Sequence, residues 1–295
     1  MKNRGLSLRS PYAIVTLCIL ILYVVSLLFP SAWGLWTAMK SNLDYLGDPL
    51  GLPDTWHFEN FLTALDNYMV QVFKDGRTYY FYIESMLLFS LLYAVGAAFF
   101  TTFVCCLVAY VTSRFNFVFN KVVYGIVIVT MTLPIVGSLP SEIQMLKKLN
   151  LYDNIVGMWV LKSNFLGLYY LVFYSTFKSL PKDYSEAAYI DGASNFVVFV
   201  RIGLPLVRNI FFTIMLIKFI EFWNDYTATL TYMPSYPTLA FGLYEYSFSA
   251  APEINNTPMR MAGCFVLAVP ILIVFLFTHD RMMSNLSMDG VKFQK

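Results

Sequence analysis

Long runs of apolar residues without charge constrain this chain more than any other feature of its sequence. A helix needs about 20 predominantly apolar residues, at roughly 1.5 Å rise each, to cross the hydrocarbon core of a bilayer. Four charge-free runs approach or exceed that length, and two further runs are interrupted by polar residues. The sequence therefore predicts six spans, at about Tyr12–Met39, Met86–Val111, Val122–Leu139, Asn154–Phe177, Asn209–Tyr226 and Met261–Phe277.

The composition agrees with a polytopic, all-α membrane protein. Hydrophobic residues make up 58% of the 295 positions and charged residues only 13%, where a soluble domain carries about 25% charged residues. The formal net charge of +2 is small, and no block of lysine and arginine is present. Nucleic acid is therefore excluded as a partner.

Cysteine and histidine give no sign of a metal site or a disulfide framework. Cys18, Cys105 and Cys106 lie inside apolar runs, as does Cys264, where thiols behave as small buried hydrophobes. The sequence has two histidines, far apart, and no C-x-x-C pair. We expect no metal and no cofactor on this chain.

The distribution of basic residues predicts which side of the membrane each loop occupies. Counted over alternate sides of the six spans, 12 lysines and arginines fall on one side and 6 on the other. The richer side is expected to be cytoplasmic. This predicts a cytoplasmic N-terminus over residues 1–11, one transmembrane domain over 12–277 and a cytoplasmic tail over 278–295.

Three connections in this arrangement are long. The loop over residues 40–85 is predicted to be outside and, at that length, to have a task or some fold of its own. The outer loop over residues 227–260 is rich in tyrosine and proline. It could contact a partner or line an entrance, or either outer loop could be a solvated connector. The third long connection, residues 178–208, is predicted to be cytoplasmic.

This cytoplasmic connection has the pattern of a structured segment. Asp183 followed by Glu186 resembles a capping box, which predicts the start of a short helix, and Gly192 can end that helix in the left-handed conformation. A second helix is predicted from residue 195 to 203. Phe196, Phe199 and Val200 would form its apolar stripe.

The same segment resembles a known signature. Glu-Ala-Ala, three residues, Gly, nine residues, Ile, one residue and Leu-Pro is the loop motif of the membrane subunits, or permeases, of bacterial ATP-binding-cassette importers. Here these residues are Glu186, Ala187, Ala188, Gly192, Ile202, Leu204 and Pro205. The stretches Ile190–Ser194, Phe222–Asn224 and Asp289–Lys292 are similar to the carbohydrate-importing branch, which includes the maltose-type permease subunits. The resemblance covers most of the chain from about Met86 onward, whereas the loop over residues 40–85 and the segment over residues 227–260 are less typical of the family.

The resemblance implies a type I importer permease fold and a mechanism. In that family the loop is a coupling helix that docks on a separate ATPase, which binds ATP and Mg. The resemblance also implies a second membrane subunit, two ATPase subunits and an extracytoplasmic solute-binding protein as partners. The dipeptide Gly-Lys of a phosphate-binding loop is absent from the sequence, so we expect no catalytic residues and no enzymatic activity on this chain.

Charged residues within the predicted spans are candidates for the solute path, because they are costly in a bilayer and usually face a bundle interior. Lys218, Glu221 and Asp225 recur at i, i+3 and i+7, which predicts one face of the fifth helix. Trp223 and Asn224 are candidates to stack on and hydrogen-bond a sugar. An equally open alternative is an internal Lys218–Glu221 pair with Asp225 at the outer boundary, and Lys162 is a further candidate in the fourth span.

Two other classes of function compete with an importer subunit. An ion-coupled secondary carrier or channel would more often show internal repeats with broken helices in matching halves, and no such repetition is seen in the sequence. A membrane-embedded enzyme would need a metal cluster or a nucleophile and base arrangement, and the sequence has no convincing one.

Overall fold

The computed structural model of the chain describes residues 11–133 and 137–289, and for residues 274, 275 and 277–289 it describes the helical backbone alone. The predicted cytoplasmic segment before residue 11 and the tail beyond residue 289 lie outside the described residues. A π-helical turn, Phe199–Gly203, connects two of the helices. The helices are α1 (Pro11–Ala38), α2 (Asn42–Gly47), α3 (Glu59–Asp66), α4 (Ile83–Arg114), α5 (Asn120–Thr132), α6 (Leu139–Lys148), α7 (Ile155–Lys162), α8 (Leu168–Ser179), α9 (Asp183–Ile190), α10 (Asn195–Val198), α11 (Leu204–Leu206), α12 (Arg208–Trp223), α13 (Tyr226–Thr231), α14 (Leu239–Phe248) and α15 (Thr257–Asp289).

Two of these helices, α1 and α4, are each long and apolar enough to cross a bilayer. A third candidate span is the bent pair formed by Asn195–Leu206 and α12, whose axes differ by 77°. Helix α5 and the first part of α15 are apolar but shorter. The third span was predicted to reach Leu139, whereas α5 ends at Thr132 and a separate helix, α6, starts at Leu139.

The fourth predicted span is two helices with a break between them. Helix α7 ends at Lys162 and α8 begins at Leu168, and Gly167 before it has a φ of +135°. A break inside a membrane leaves carbonyl groups without helical partners, and these must be satisfied by other groups. The hydroxyl of Thr101 on α4 donates to the Lys162 carbonyl over 2.8 Å. The break is therefore held by the neighbouring helix.

The chain divides into two compact units, the larger of which comprises described residues 69–244 and 270–289. In this unit α4 packs against α12, α8 and α7. Its core is largely aromatic, with the Tyr110 ring 5.2 Å from Phe177 and 4.9 Å from Phe199 between centroids. The buried members of this core are Cys105, Cys106, Ala109, Tyr110, Val127, Tyr170, Phe173, Phe177, Phe199, Val207, Phe211 and Ile214.

The smaller unit comprises described residues 11–68 and 245–269. Most apolar side chains in the first two thirds of α1 are exposed, as expected for a helix whose environment is lipid. Beyond the helix, Lys40 is fully buried, donates to the Asp48 carbonyl and lies 3.7 Å from the Asp44 carboxylate. This lysine fixes the first turn of the predicted outer loop.

The same predicted loop also contains a β-hairpin, which the sequence analysis did not anticipate and which belongs to the larger unit. Strands β1 (Met69–Lys74) and β2 (Arg77–Tyr82) pair in antiparallel register. Asp75 and Gly76 have φ values of 52° and 75°, as a two-residue type I′ turn requires. Lys74 at the tip lies 3.2 Å from Asp153, before α7.

Candidate coupling loop and polar cavity

The signature loop begins with a short helix, as the sequence predicts, but the capping box does not form. Helix α9 starts at Asp183, so this residue lies in the first turn rather than at the N-cap. The N-cap is Lys182, which makes no side-chain capping hydrogen bond. Asp183 and Glu186 both lie near the positive end of the helix dipole. They stabilise the helix start by charge rather than by the predicted reciprocal hydrogen bonds.

Gly192 ends α9 in the left-handed conformation, with a φ of +80°. Its N–H donates to the Tyr189 carbonyl over 3.0 Å, and the Ala193 N–H donates to the Ala188 carbonyl over 3.0 Å. These two bonds define a Schellman motif, in which glycine has no Cβ penalty. The predicted bend between two short helices is therefore present at Gly192.

The second short helix differs from its prediction. Helix α10 is followed by the π-helical turn Phe199–Gly203, closed by a bond from the Leu204 N–H to the Phe199 carbonyl. Phe196 and Val200 are exposed at 69% and 39%, whereas Val198 and Phe199 are buried. The predicted stripe was wrong except for Phe199, because the wide turn changes which side chains share a face.

The buried face of this segment rests on α4. A Cβ built on Gly203 would lie 3.1 Å from Cε2 of Tyr110, so glycine permits the close approach. The ring of Tyr110 also packs on Phe199. The segment is thus in direct contact with a side chain of a long apolar helix.

The remaining signature residues lie at and after this contact. Ile202 is half-buried, Leu204 packs on the aromatic core and Pro205 is exposed in α11. The chain then turns by 77° into α12. Leu204 and Pro205 therefore stand at the corner between the candidate coupling loop, residues 178–208, and α12.

One side of α9 is exposed and apolar. Ile190 is 86% exposed and Tyr184 56% exposed, and Ala187 between them is also exposed. A spacing of three residues places these side chains along one side of the helix. Glu186 is exposed as well, whereas Ala188 is half-buried. Tyr184, Ala187 and Ile190 thus form an apolar stripe with one small residue, Ala187, at its centre.

A second polar feature lies at the break in the fourth span. The ammonium group of Lys162 is 3.0 Å from Oδ2 of Asp225, and the side chains are 27% and 14% exposed. The Tyr93 hydroxyl donates to the same carboxylate oxygen over 2.9 Å. Oδ1 of Asp225 accepts from the hydroxyl of Thr227 and from the N–H of Ala228. The pair joins the ends of α7 and α12 to α4.

Lys218, Glu221 and Asp225 were predicted to share one face of the fifth helix, and this prediction is wrong for Asp225. Helix α12 ends at Trp223, and Asp225 is the N-cap of α13. An aspartate that accepts from an N–H three residues on starts a new helix. Asp225 is not at an outer water boundary either, because its side chain is largely buried.

Lys218 and Glu221 form the internal pair of the alternative interpretation, with a 2.8 Å contact and side chains 17% and 54% exposed. Both lie on the wall of a cavity of about 230 Å³ in the larger unit. The Lys218 ammonium group stands 5.1 Å from the centroid of the Tyr169 ring. The cavity is lined by Thr101, Cys105, Lys162, Asn164, Leu166, Gly167, Tyr169, Lys218, Glu221 and Phe222.

Trp223 and Asn224 lie next to this cavity in sequence without lining it. Trp223 is 1% exposed and its ring packs on Phe219, 5.5 Å away. The side-chain amide of Asn224 donates to the Ile220 carbonyl over 2.8 Å at the end of α12. Contact of these two residues with a solute stays a prediction.

Sequence reasoning missed Tyr93, Tyr169 and Glu142. The first two are tyrosines in apolar runs, where nothing in the hydropathy pattern separates them from core residues. Glu142 on α6 accepts a 2.5 Å hydrogen bond from the Tyr232 hydroxyl, and this bond lowers the pKa of its carboxyl group. Within residues 11–133 and 137–289, no group of three or more His, Cys, Asp or Glu side chains is arranged to hold a metal ion.

The chain is mostly helical, with long apolar helices, an internal polar cavity and an exposed, bent helix pair, as in a membrane protein. A family profile described as "Binding-protein-dependent transport system inner membrane component" matches residues 103–287. The chain belongs to this family. It is thus a multi-pass permease component of an inner membrane, and the prediction of an ATP-binding-cassette importer permease is confirmed.

Relatives match over nearly the whole chain. The diacetylchitobiose uptake system permease protein of Streptomyces coelicolor is 26% identical over 94% of this chain and 88% of its own length. The sulfoquinovosyl glycerol transport system permease protein of Agrobacterium fabrum is 28% identical over 91% and 90%. A solved bacterial ABC transporter that imports the acidic polysaccharide alginate superposes with a TM-score of 0.73 at 18% identity, covering 95% and 99% of the two chains. This structure confirms the type I permease fold.

Proposed function

We propose that this chain is the membrane-spanning subunit of an ATP-driven importer for a sugar or oligosaccharide. It forms half of the translocation path and is driven by a separate ATPase through the coupling loop. The observation that carries the proposal is the geometry of that loop, which has one face exposed and the other packed on α4.

The exposed face supports a docking role. Tyr184, Ala187 and Ile190 present an apolar stripe on an eight-residue helix. Exposed apolar surface of this kind marks an interaction site. The packed face, through Gly203 and Tyr110, supports the transmission of motion from a docked ATPase to the bundle.

The class of solute is supported by the relatives and by the cavity. The two relatives described above are permeases for diacetylchitobiose and sulfoquinovosyl glycerol. The cavity combines the aromatic ring of Tyr169 with the polar groups of Asn164, Lys218 and Glu221. Rings of this kind stack on sugars, while fixed polar groups set orientation.

The proposal includes the arrangement of the assembly. A second homologous membrane subunit completes the path, two ATPase subunits hold ATP and Mg, and an extracytoplasmic solute-binding protein delivers the solute. Both termini and the coupling loop are cytoplasmic. The loops over residues 40–85 and 227–260 are outside, and residues 12–277 act as a single transmembrane domain of six helices.

The test is co-purification of the ATPase with variants of the coupling loop. Gly192→Pro imposes a negative φ where the native value is +80° and removes the N–H that bonds Tyr189. We expect loss of the ATPase from the purified complex. His57→Ala, in the predicted outer loop, is the control and should retain it.

Two results would contradict the proposal. One is full retention of the ATPase by Gly192→Pro when protease accessibility shows that the loop has rearranged. The other is solute uptake at the native rate by the membrane subunits without the ATPase, which would favour an ion-coupled carrier or channel.

A further inference from the structure

Among the described residues of the cavity wall, two side chains are positive and one is negative. A second carboxylate next to the wall balances the charge. Lys218 pairs with Glu221, a wall residue, and Lys162 pairs with Asp225, which lies just behind the wall. Each ammonium group is within 3.0 Å of a carboxylate oxygen. The sum of these four formal charges is zero.

The two ion pairs differ in how firmly they are held. Asp225 accepts from Tyr93, Thr227 and the Ala228 N–H as well as from Lys162. Glu221 is 54% exposed and bonds Lys218 from one turn away on the same helix. The Asp225 carboxylate is thus fixed, whereas the Glu221 carboxylate faces the open side of the wall.

Removal of the Glu221 charge would therefore change the electrostatic potential in the cavity more than it would change the structure of the protein. Lys218 is 17% exposed and its ammonium group lies near the rings of Tyr169 and Phe222. Within a membrane a charge of this kind is weakly screened and attracts an anion strongly. With Glu221 in place, the charge of Lys218 is already neutralised, so the lysine attracts an anion less strongly.

We propose that this cavity is a subsite for an uncharged sugar unit, and that Glu221 is the residue that keeps anionic sugars out of it. This inference rests on the proposed function and names its solute class. The Tyr169 ring supplies a stacking surface, and Lys218 and the half-exposed Glu221 supply hydrogen bonds to hydroxyl groups. A carboxylate or sulfonate on the sugar would meet Glu221 without a free positive partner.

The charge of the cavity is measured with a thiol reporter, without knowledge of the solute. Leu166 lines the cavity and is 41% exposed, so Leu166→Cys places a reactive thiol there. The full complex in nanodiscs is treated with anionic sulfonatoethyl or cationic trimethylammonioethyl methanethiosulfonate. Subtracting the labelling of the chain without Leu166→Cys isolates the new thiol.

The inference predicts how the ratio of anionic to cationic labelling rates responds to each variant. Glu221→Gln should raise the ratio roughly tenfold or more, because one unit charge is unmasked on the wall of the cavity that holds the thiol. Lys218→Met combined with Glu221→Gln should return it to the native value. Glu84→Gln, an exposed glutamate at the start of α4, is the matched control and should leave it unchanged.

Sugar protection of the same thiol tests the selectivity. In the native background galactotriose should slow the labelling and trigalacturonate should not, whereas with Glu221→Gln trigalacturonate should gain protection. An unchanged rate ratio in Glu221→Gln would overturn the role of Glu221. Protection of the native cavity by trigalacturonate, or by neither sugar, would overturn the neutral subsite. Failure of the proposed function is seen separately, as loss of ATPase dependence, which labelling does not measure.

Discussion

The Nζ atom of Lys162 lies 3.0 Å from Oδ2 of Asp225, across the ends of two helices that are both interrupted at this level. The contact joins residues 63 positions apart in the chain. Because both side chains are mostly buried, the pair ties the broken fourth span to the end of α12.

Separating this pair is expected to destabilise the bundle. Lys162→Met leaves Asp225 charged and partly buried, and the loss should be about 2–3 kcal/mol, less than for a fully buried pair. Asp225→Asn should cost a similar amount, since asparagine preserves the N-cap. Thermal unfolding in nanodiscs measures both. The double variant should be more stable than either single variant, and strictly additive losses would show that the pair is not coupled.

The apolar stripe of α9 gives a second prediction. If Ile190 is buried against the ATPase, Ile190→Ser should weaken ATPase binding by about 1.5–3 kcal/mol, the value of burying such a side chain. Leu43→Ser is a matched control, because Leu43 is 82% exposed but lies in the predicted outer loop. Titration of the ATPase onto the membrane complex measures both affinities. Equal affinities for the two variants would place the docking face elsewhere.

The contact between Gly203 and Tyr110 predicts a coupling defect. Gly203→Val adds atoms where a Cβ alone would stand 3.1 Å from the Tyr110 ring, and such overpacking costs about 1–3 kcal/mol. We expect uptake to fall while membrane insertion continues. Tyr110→Leu should partly restore uptake in the Gly203→Val background. A defect of the same size in the double variant would argue against steric transmission at this contact.

Lys218 is expected to matter for uptake rather than assembly. Lys218→Met removes a charge from the cavity wall, while its partner Glu221 remains 54% exposed and solvated. The complex should purify in normal amounts and import solute poorly. Unchanged uptake would exclude Lys218 from the solute path.

The Glu142–Tyr232 hydrogen bond predicts acid sensitivity. It lowers the carboxyl pKa of Glu142 below the ordinary value of 4.5. A group with a depressed folded pKa contributes stability above its unfolded pKa and loses it as the pH falls through the folded value. The native protein should therefore lose this contribution below about pH 4.5, and Glu142→Gln should flatten that part of the profile. Unfolding midpoints measured from pH 7 to 3 provide the comparison.

The sequence predicted features that depend on local chemistry and missed those that depend on packing. The bend at Gly192 was predictable because few other residues adopt a φ of +80° cheaply. The end of α12 was missed although Asn224 and Asp225 follow Trp223 directly, because Asp225 fits the i, i+3, i+7 spacing of the predicted face as well as it fits an N-cap. The hairpin was missed because its residues were taken as part of one long loop, although Asp75-Gly76 between two strand-forming runs is typical of its type I′ turn.

The candidate site shows the same division. Lys218 and Glu221 were identifiable because charges in an apolar run stand out, and their spacing of three residues predicts the pair that is observed. Tyr93 and Tyr169 could not be selected, because their roles come from long-range contacts across helices. The apolar stripe of α10 was misassigned because periodicity assumes 3.6 residues per turn, which the π-helical turn violates.

The π-helical turn also sets the rotation of α9 relative to the contact between Gly203 and Tyr110. Each residue of an α-helix advances the chain by about 100°, so one additional residue in a turn rotates everything on one side of it relative to the other. The nine positions between Gly192 and Ile202 include three of the five residues of the turn, Phe199–Gly203. Deleting one residue of the turn would restore regular α-helical geometry there and rotate the apolar stripe of α9 relative to Gly203. The length of the segment between Gly192 and Gly203 thus sets the direction of the apolar stripe of α9 relative to the contact between Gly203 and Tyr110.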